Sequence, residues 1–215
     1  MPCVKCDVPR MTSNCFGFLD SRSDHARSIE NGIMASLKTK PQRNKHNEVA
    51  METFKRLLGT KGCKESVMLL GPVGTGKTFL AQHFLKALMA KQRRQCMYAQ
   101  EYTILHAWRF SQDKSKNTGV WGHTFLHKCR TADYLLLDDF GAARRTSDGA
   151  LDELERLIMG RCEASMPVII TTNLSPEDIE MRRGTRVWSR LKGMARDNVF
   201  VIKGGDFRQK VEWEV

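Results

Sequence analysis

The stretch Gly71-Pro72-Val73-Gly74-Thr75-Gly76-Lys77-Thr78, GPVGTGKT in one-letter form, decides the fold. The apolar run SVMLL (66–70) precedes it, and Phe79, Leu80, Phe84, Leu85 and Leu88 follow at the spacing of one buried helix face. Strand, glycine-rich turn and helix, in that order, is the context that G-x-x-x-x-G-K-[ST] requires. The glycines let successive backbone N–H groups converge on phosphate oxygens, and the helix N-terminus adds the positive end of its dipole. Residues Gly71 to Phe79 are therefore read as a phosphate cradle. Lys77 is the partner of the β- and γ-phosphates, and Thr78 places its hydroxyl on Mg²⁺.

Outward from this motif the same alternation continues. Apolar runs at CMYA (96–99), YLLLD (134–138), PVIIT (167–171) and NVFVI (198–202) read as strands, several of them apolar throughout, as strands covered on both faces are. Between them lie amphipathic stretches such as Leu151, Leu154, Leu157 and Ile158, and another helix (Val49, Thr53, Phe54, Leu57, Leu58) precedes the first strand and closes at Gly59. The predicted class is α/β: five parallel strands with crossover helices on both sides. Cys63, Cys96, Cys129 and Cys162 recur every 33 residues, but the segments they mark share no motif, so the period is that of a strand-plus-helix unit and not of a tandem repeat.

YLLLDD ends in Asp138 and Asp139. Two adjacent carboxylates closing an apolar strand need a cation, and Mg²⁺ beside the phosphate cradle is the natural one. Asp138 is read as holding the metal through water and Asp139 as orienting or polarising the attacking water. The fourth strand ends in TTN, where Asn173 is either a bridge between that water and the γ-phosphate or a turn former and helix cap ahead of LSPED.

Composition sets the boundaries. With 215 residues, 41% hydrophobic and 27% charged, the chain suits one domain with a small appendage. No apolar run approaches the roughly 20 residues that span a bilayer, and MPCVKCDVPR lacks the apolar stretch of an export signal, so a cytoplasmic protein with no membrane partner is expected. Seven scattered cysteines then imply reduced thiols. The formal net charge of +11 is a field that attracts polyanions, nucleic acid foremost. Residues 1–45 differ in kind, with eight Lys plus Arg against four acids and with Cys3, Cys6 and Cys15. They read as an appendage, 46–215 as the main domain. Cys3-x-x-Cys6 with Cys15 and His25 is a candidate zinc set, loosely spaced and one cysteine short of four.

Two features bear on what ATP would be used for. EYTILHAWRFSQDKSKNTGVWGHTFLHKCR, between the second and third strands, mixes Trp108, Phe110 and Trp121 with Arg109, Lys114, Lys116, Lys128 and Arg130, the combination on which bases stack while cations follow phosphates. The alternative is that the tryptophans belong to the core. Further on, Arg182, Arg183, Arg186, Arg190, Lys192 and Arg196 fall between Glu180 and Asp197 with no intervening acid. A guanidinium keeps its charge, so their partners are distant groups or water.

In order and spacing, GPVGTGKT, LLLDDFG, VIITTNLSPEDI, SRL and IKGGDFR resemble the AAA+ replicative-helicase loaders of the DnaC type and, more distantly, the IstB-type transposition helper ATPases, over about residues 46–210. The resemblance implies an ATPase that self-associates with ATP at subunit interfaces, binds single-stranded DNA through the insertion just described, and contacts a replicative ring helicase. It implies that Arg190, in SRL, is an arginine finger completing the neighbour's site, with Arg186 as the nearby alternative, and that Arg208, in GDFR, senses the nucleotide of its own subunit. Only 13 residues follow the last predicted strand, so the family's lid is absent or reduced. Asp139 stands where most AAA+ ATPases carry glutamate, and its shorter arm predicts slow turnover, a switch more than a motor. Competing readings are a transposition helper on double-stranded DNA, an ATP-gated adaptor with little catalysis, and a small-molecule P-loop kinase, for which no lid segment is evident.

Overall fold

The computed structural model describes residues 40–112, 118–143 and 147–205. In chain order the elements are α1 (Glu48–Gly59), β1 (Val67–Leu70), α2 (Lys77–Gln92), β2 (Cys96–Gln100), α3 (Glu101–Ser111), α4 (Thr118–Thr131), β3 (Tyr134–Asp138), α5 (Asp148–Glu163), β4 (Val168–Thr172), α6 (Pro176–Arg183), α7 (Thr185–Ala195) and β5 (Val199–Val201). The five strands form one sheet in the order β2-β3-β4-β1-β5, every pairing parallel. This is the parallel α/β sheet with crossover helices on both faces that the alternation predicts.

Side-chain alternation along the strands divides the core in two. Val67, Leu69, Tyr98, Tyr134, Leu136 and Ile169 face α1 and α2, where Phe54 stacks on Phe84 with centroids 4.1 Å apart. Met68, Leu70, Met97, Leu135, Leu137 and Ile170 face the opposite layer, built from α3, α4, α5, α6 and α7. In that layer α3 and α4 lie so close that a Cβ on Gly122 would overlap the Ala107 carbonyl oxygen and the Ser111 nitrogen.

Strand ends shift by a residue from the apolar runs because pairing, not hydropathy, decides them. Ser66 leaves β1 and accepts the Val168 N–H on its hydroxyl at 2.9 Å, while Thr172 joins β4 opposite Leu70. Asn198 stays out of β5 and gives its amide to Glu65 (2.9 Å) and to the Ser66 carbonyl (3.2 Å). Glu65 also takes both terminal nitrogens of Arg56 at 2.8 Å, and those hydrogen bonds hold its carboxyl down at about 2. Arg161, 1% exposed, donates to the Cys129 and Arg130 carbonyls at the end of α4 and to Pro167, a buried cation closing a helix C-terminus. Its burial lowers its pKa to about 10, which leaves it charged at neutral pH. The same burial pushes the Cys129 thiol up to about 12 and leaves it inert.

Candidate nucleotide site

The carboxyl ends of β3, β4 and β1 lie side by side, and the chain leaving β1 enters α2 on one face while the chain leaving β4 enters α6 on the other. Divergence of neighbouring connections opens a crevice at that edge, the usual ligand position in a parallel sheet. A cleft of about 1240 Å³ occupies it, lined by residues 73–80, Tyr98, Gln100, Asp138, Asp139 and Asn173, and by Lys40–Asn47 on its outer side.

The cradle depends on close approach. Gly71 has φ +139°, and a Cβ there would overlap the Ile202 carbonyl oxygen, so the turn out of β1 tolerates no side chain. Gly76, at φ +82°, opens α2 with no side-chain cap, leaving the first N–H groups of the helix toward the cleft. Lys77 is 6% exposed, and its ammonium donates to the Pro72 carbonyl at 2.6 Å, folding the lysine back across the loop.

Asp138, 2% exposed, accepts three hydroxyls: Thr78 on Oδ1 at 2.7 Å, Thr171 on the same oxygen, and Tyr98 on Oδ2 at 2.9 Å. Strand parity explains the convergence. Tyr98 pairs with Leu136 and Gln100 with Asp138, so Tyr98 and Asp138 point to the α2 side, and Thr171, two residues after Ile169, does the same. Burial, then the Asp138 charge, push the Tyr98 hydroxyl far above its ordinary range, so it remains a donor. Thr78 and Asp138 present hard oxygen groups at the foot of a cradle of N–H groups. The residues fit a magnesium-nucleotide: Thr78 and Asp138 would hold the metal, which would neutralise phosphate charge, and the 71–78 backbone with Lys77 would hold the phosphates.

Asp139 lines the same cleft in the left-handed region, φ +52°. Its N–H donates to the Thr171 hydroxyl at 3.2 Å, and its carbonyl accepts the Ala142 N–H at 3.1 Å, closing a tight turn. That turn is gripped from elsewhere. Glu101, 1% exposed, accepts the N–H groups of Gly141 (2.6 Å) and Ala143 (3.2 Å) and pairs with Arg183, which also donates to the Ala143 carbonyl at 3.1 Å. Arg182 reaches the Gly141 carbonyl at 3.3 Å.

Two of the acid-free run of cations thus find distant partners. Arg186 lies 3.6 Å from Glu155 with its side chain 75% exposed. Arg190 is exposed on the same outer side of α7, whose inner side carries Val187, Leu191 and Ala195. It makes no ion pair among the described residues and does not line its own chain's cleft. Asn173 is exposed at the cleft, and the cap of α6 is Ser175, whose hydroxyl accepts the Asp178 N–H at 3.1 Å. Trp108 and Trp121 are half-buried and packed on the core, Trp108 against Gly149 and Trp121 between Phe110 and Phe125. Arg208, Lys114, Lys116, His25 and the zinc candidates Cys3, Cys6 and Cys15 lie outside the described residues. Among the described residues no cluster of His, Cys, Asp or Glu could hold a metal, and no helix is long and apolar enough to cross a membrane.

Tyr98, Thr171, Glu101 and Arg183 escape a motif reading. Tyr98 and Thr171 carry a faint signal, being the polar atoms of strands whose other inward residues are apolar. Glu101 and Arg183 carry none, because 82 residues separate them.

Residues 66–163 match the family model described as AAA domain (dynein-related subfamily). The chain is 25% identical over 162 residues to the uncharacterized protein YqaM of Bacillus subtilis (strain 168), covering 73% of this chain and 49% of that protein. It is 33% identical over 120 residues to Rv3427c of Mycobacterium tuberculosis (strain ATCC 25618 / H37Rv), named as an ATP-binding protein in an insertion sequence, covering 53% and 43%. The chain thus spans less than half the length of each of these two relatives. Among solved structures, the DnaC helicase loader superposes with a TM-score of 0.67 at 26% identity, over 78% of this chain and 96% of that one.

Proposed function

From an AAA-type P-loop fold as premise, we propose that this chain is an ATP-dependent helicase-loading factor of DNA replication, in which residues 46–215 form the ATPase domain and residues 1–45 an appendage for partner contact. Subunits assemble with ATP between them, grip single-stranded DNA and hold a ring helicase for loading. The observation that carries this reading is the likeness to the DnaC helicase loader over nearly the whole of that chain. Lys77 and Thr78 bind the phosphates and metal, Asp138 holds the metal, Asp139 orients the attacking water, and Asn173 senses the γ-phosphate. Arg190, exposed and away from its own cleft, serves the neighbour's nucleotide, where a guanidinium offsets charge developing in the transition state. The aspartate arm of Asp139 makes turnover slow, so that ATP works as an assembly switch.

The DNA surface is the α3–α4 pair. Its outermost ring is Tyr102, 58% exposed and 4.1 Å from His106, followed by Phe110 at 6.0 Å from His106, with Arg109 exposed beside them. Half-buried Trp121 packs edge-on against Phe110 at the end of this row, with ring centroids 5.6 Å apart.

The test is capture of the purified replicative ring helicase by this protein with and without ATP, together with binding to single- and double-stranded DNA across a salt series. ATP-dependent capture and single-strand preference are expected, with log affinity falling against log salt by about 0.7 per phosphate contact. A flat salt response ends the DNA assignment, and tens of turnovers per second at saturating DNA contradict the switch. The insertion-sequence relative favours one other reading, a transposition helper. Preference for double strands with capture of a transposase instead of the helicase would select it.

A further inference from the structure

We propose that Tyr98 is a positioning residue for the divalent cation, its phenol locking the Asp138 carboxylate in the orientation that presents Oδ1 to Thr78. The inference rests on reading the cleft as a magnesium-ATP site, and adds a residue that the P-loop and acid motifs do not contain. The terminal torsion of an aspartate is soft, with a broad range of orientations. At Asp138 that freedom is removed from both ends: Oδ1 takes the Thr78 and Thr171 hydroxyls, and Oδ2 takes the Tyr98 hydroxyl at 2.9 Å. Of the three donors Thr78 is the one the metal would recruit, so the burden of aiming the carboxylate falls on the other two. Tyr98 acts on the oxygen opposite the two threonines: its ring is 5% exposed in the layer between the sheet and α2, and its hydroxyl donates to Oδ2 while theirs donate to Oδ1. Deleting that oxygen leaves a buried carboxylate oxygen short of a hydrogen bond, and the group must turn to find another, carrying Oδ1 away from Thr78.

Groups that orient a metal ligand matter to affinity almost as the ligand does, with losses of about 10- to 100-fold when they are removed. Tyr98→Phe keeps the ring and removes only the hydroxyl. Mn²⁺ binding in the presence of a non-hydrolysable ATP analogue, followed by electron paramagnetic resonance, is expected to weaken by about ten-fold or more in this variant. Analogue binding in EDTA, which reports the cradle alone, is expected to stay within about two-fold of the parent. Each variant is also compared with its own ligand-free melting temperature, so that a change in stability does not mask the metal effect. Mn²⁺ affinity within about two-fold of the parent overturns the proposal. So does an equal loss with and without metal, which marks a merely structural tyrosine. Asp138→Asn separates the two levels of the argument: if it too leaves Mn²⁺ binding intact, the metal reading of the cleft fails and the role of Tyr98 with it.

Discussion

At Asp139 the backbone and the chemistry make competing demands. A φ of +52° places a non-glycine residue in the left-handed region, which costs roughly 1–2 kcal/mol for most side chains and which Asp and Asn tolerate best. A longer carboxylate would reach farther into the cleft but belongs less readily in this conformation, which gives a physical reason for aspartate here. Asp139→Asn keeps the backbone preference and removes the carboxylate proposed to orient the attacking water. It is expected to leave nucleotide affinity and melting temperature close to the parent while lowering hydrolysis by about 100-fold or more, the usual weight of a positioned general base. Asp139→Ala should lose hydrolysis equally and about 1 kcal/mol of stability besides, read from denaturant midpoints at equal slope. Equal stability of the two variants would show that the turn is not strained at this residue.

Between elements, the decisive contact is Glu101 with Arg183. Both are buried, at 1% and 7% side-chain exposure, and the carboxylate additionally satisfies two N–H groups of the turn that follows Asp139. Removing one partner of such a pair leaves the other charge stranded, at a cost of about 3–5 kcal/mol. Arg183→Met and Glu101→Gln are each expected to lower stability by that order, and the double variant to lose less than the sum of the two, as a double-mutant cycle on unfolding free energies would record. Strict additivity would mean the two side chains do not act on each other. This contact also marks what was legible in the chain beforehand. Strands were readable because YLLLD and VMLL are apolar on both faces, and the phosphate cradle because its residues are consecutive. Strand ends were not, since Thr172 and Gln100 belong to the sheet through their partners Leu70 and Asp138 and not through their own character. The arginine run shows by itself only that its partners are distant groups or water, because the acid that Arg183 meets, Glu101, opens α3 82 residues away, and the two tryptophans stay open between DNA contact and core because composition says nothing about which way a ring faces.

Across the whole molecule, the cleft collects the cradle, the metal groups and Asn173 on one edge of the sheet, while Arg190 stands on α7 outside that cleft. Arg183, the last residue of α6, is bonded to Glu101 and to the Ala143 carbonyl, and Gly184, at φ +86°, alone separates it from α7, so the helix bearing Arg190 is joined through Arg183 to the turn that follows Asp139. On the proposed function, the assembled protein has its sites divided between chains: each subunit would supply phosphate and metal groups to one nucleotide and an arginine to the next. Arg190→Ala and Lys77→Ala should each abolish hydrolysis alone, the first for want of a finger and the second for want of a grip on phosphate. Mixed in equal amounts with ATP and DNA, they should recover a substantial fraction of parental turnover, because intact cradles from the first protein meet intact arginines from the second. Each variant must melt cooperatively as the parent does, and the mixture with ATP must self-associate as the parent does, measured by light scattering. Recovery that instead requires Arg186 would move the finger one helical turn along α7, and no recovery from any pairing would place the whole reaction within a single chain.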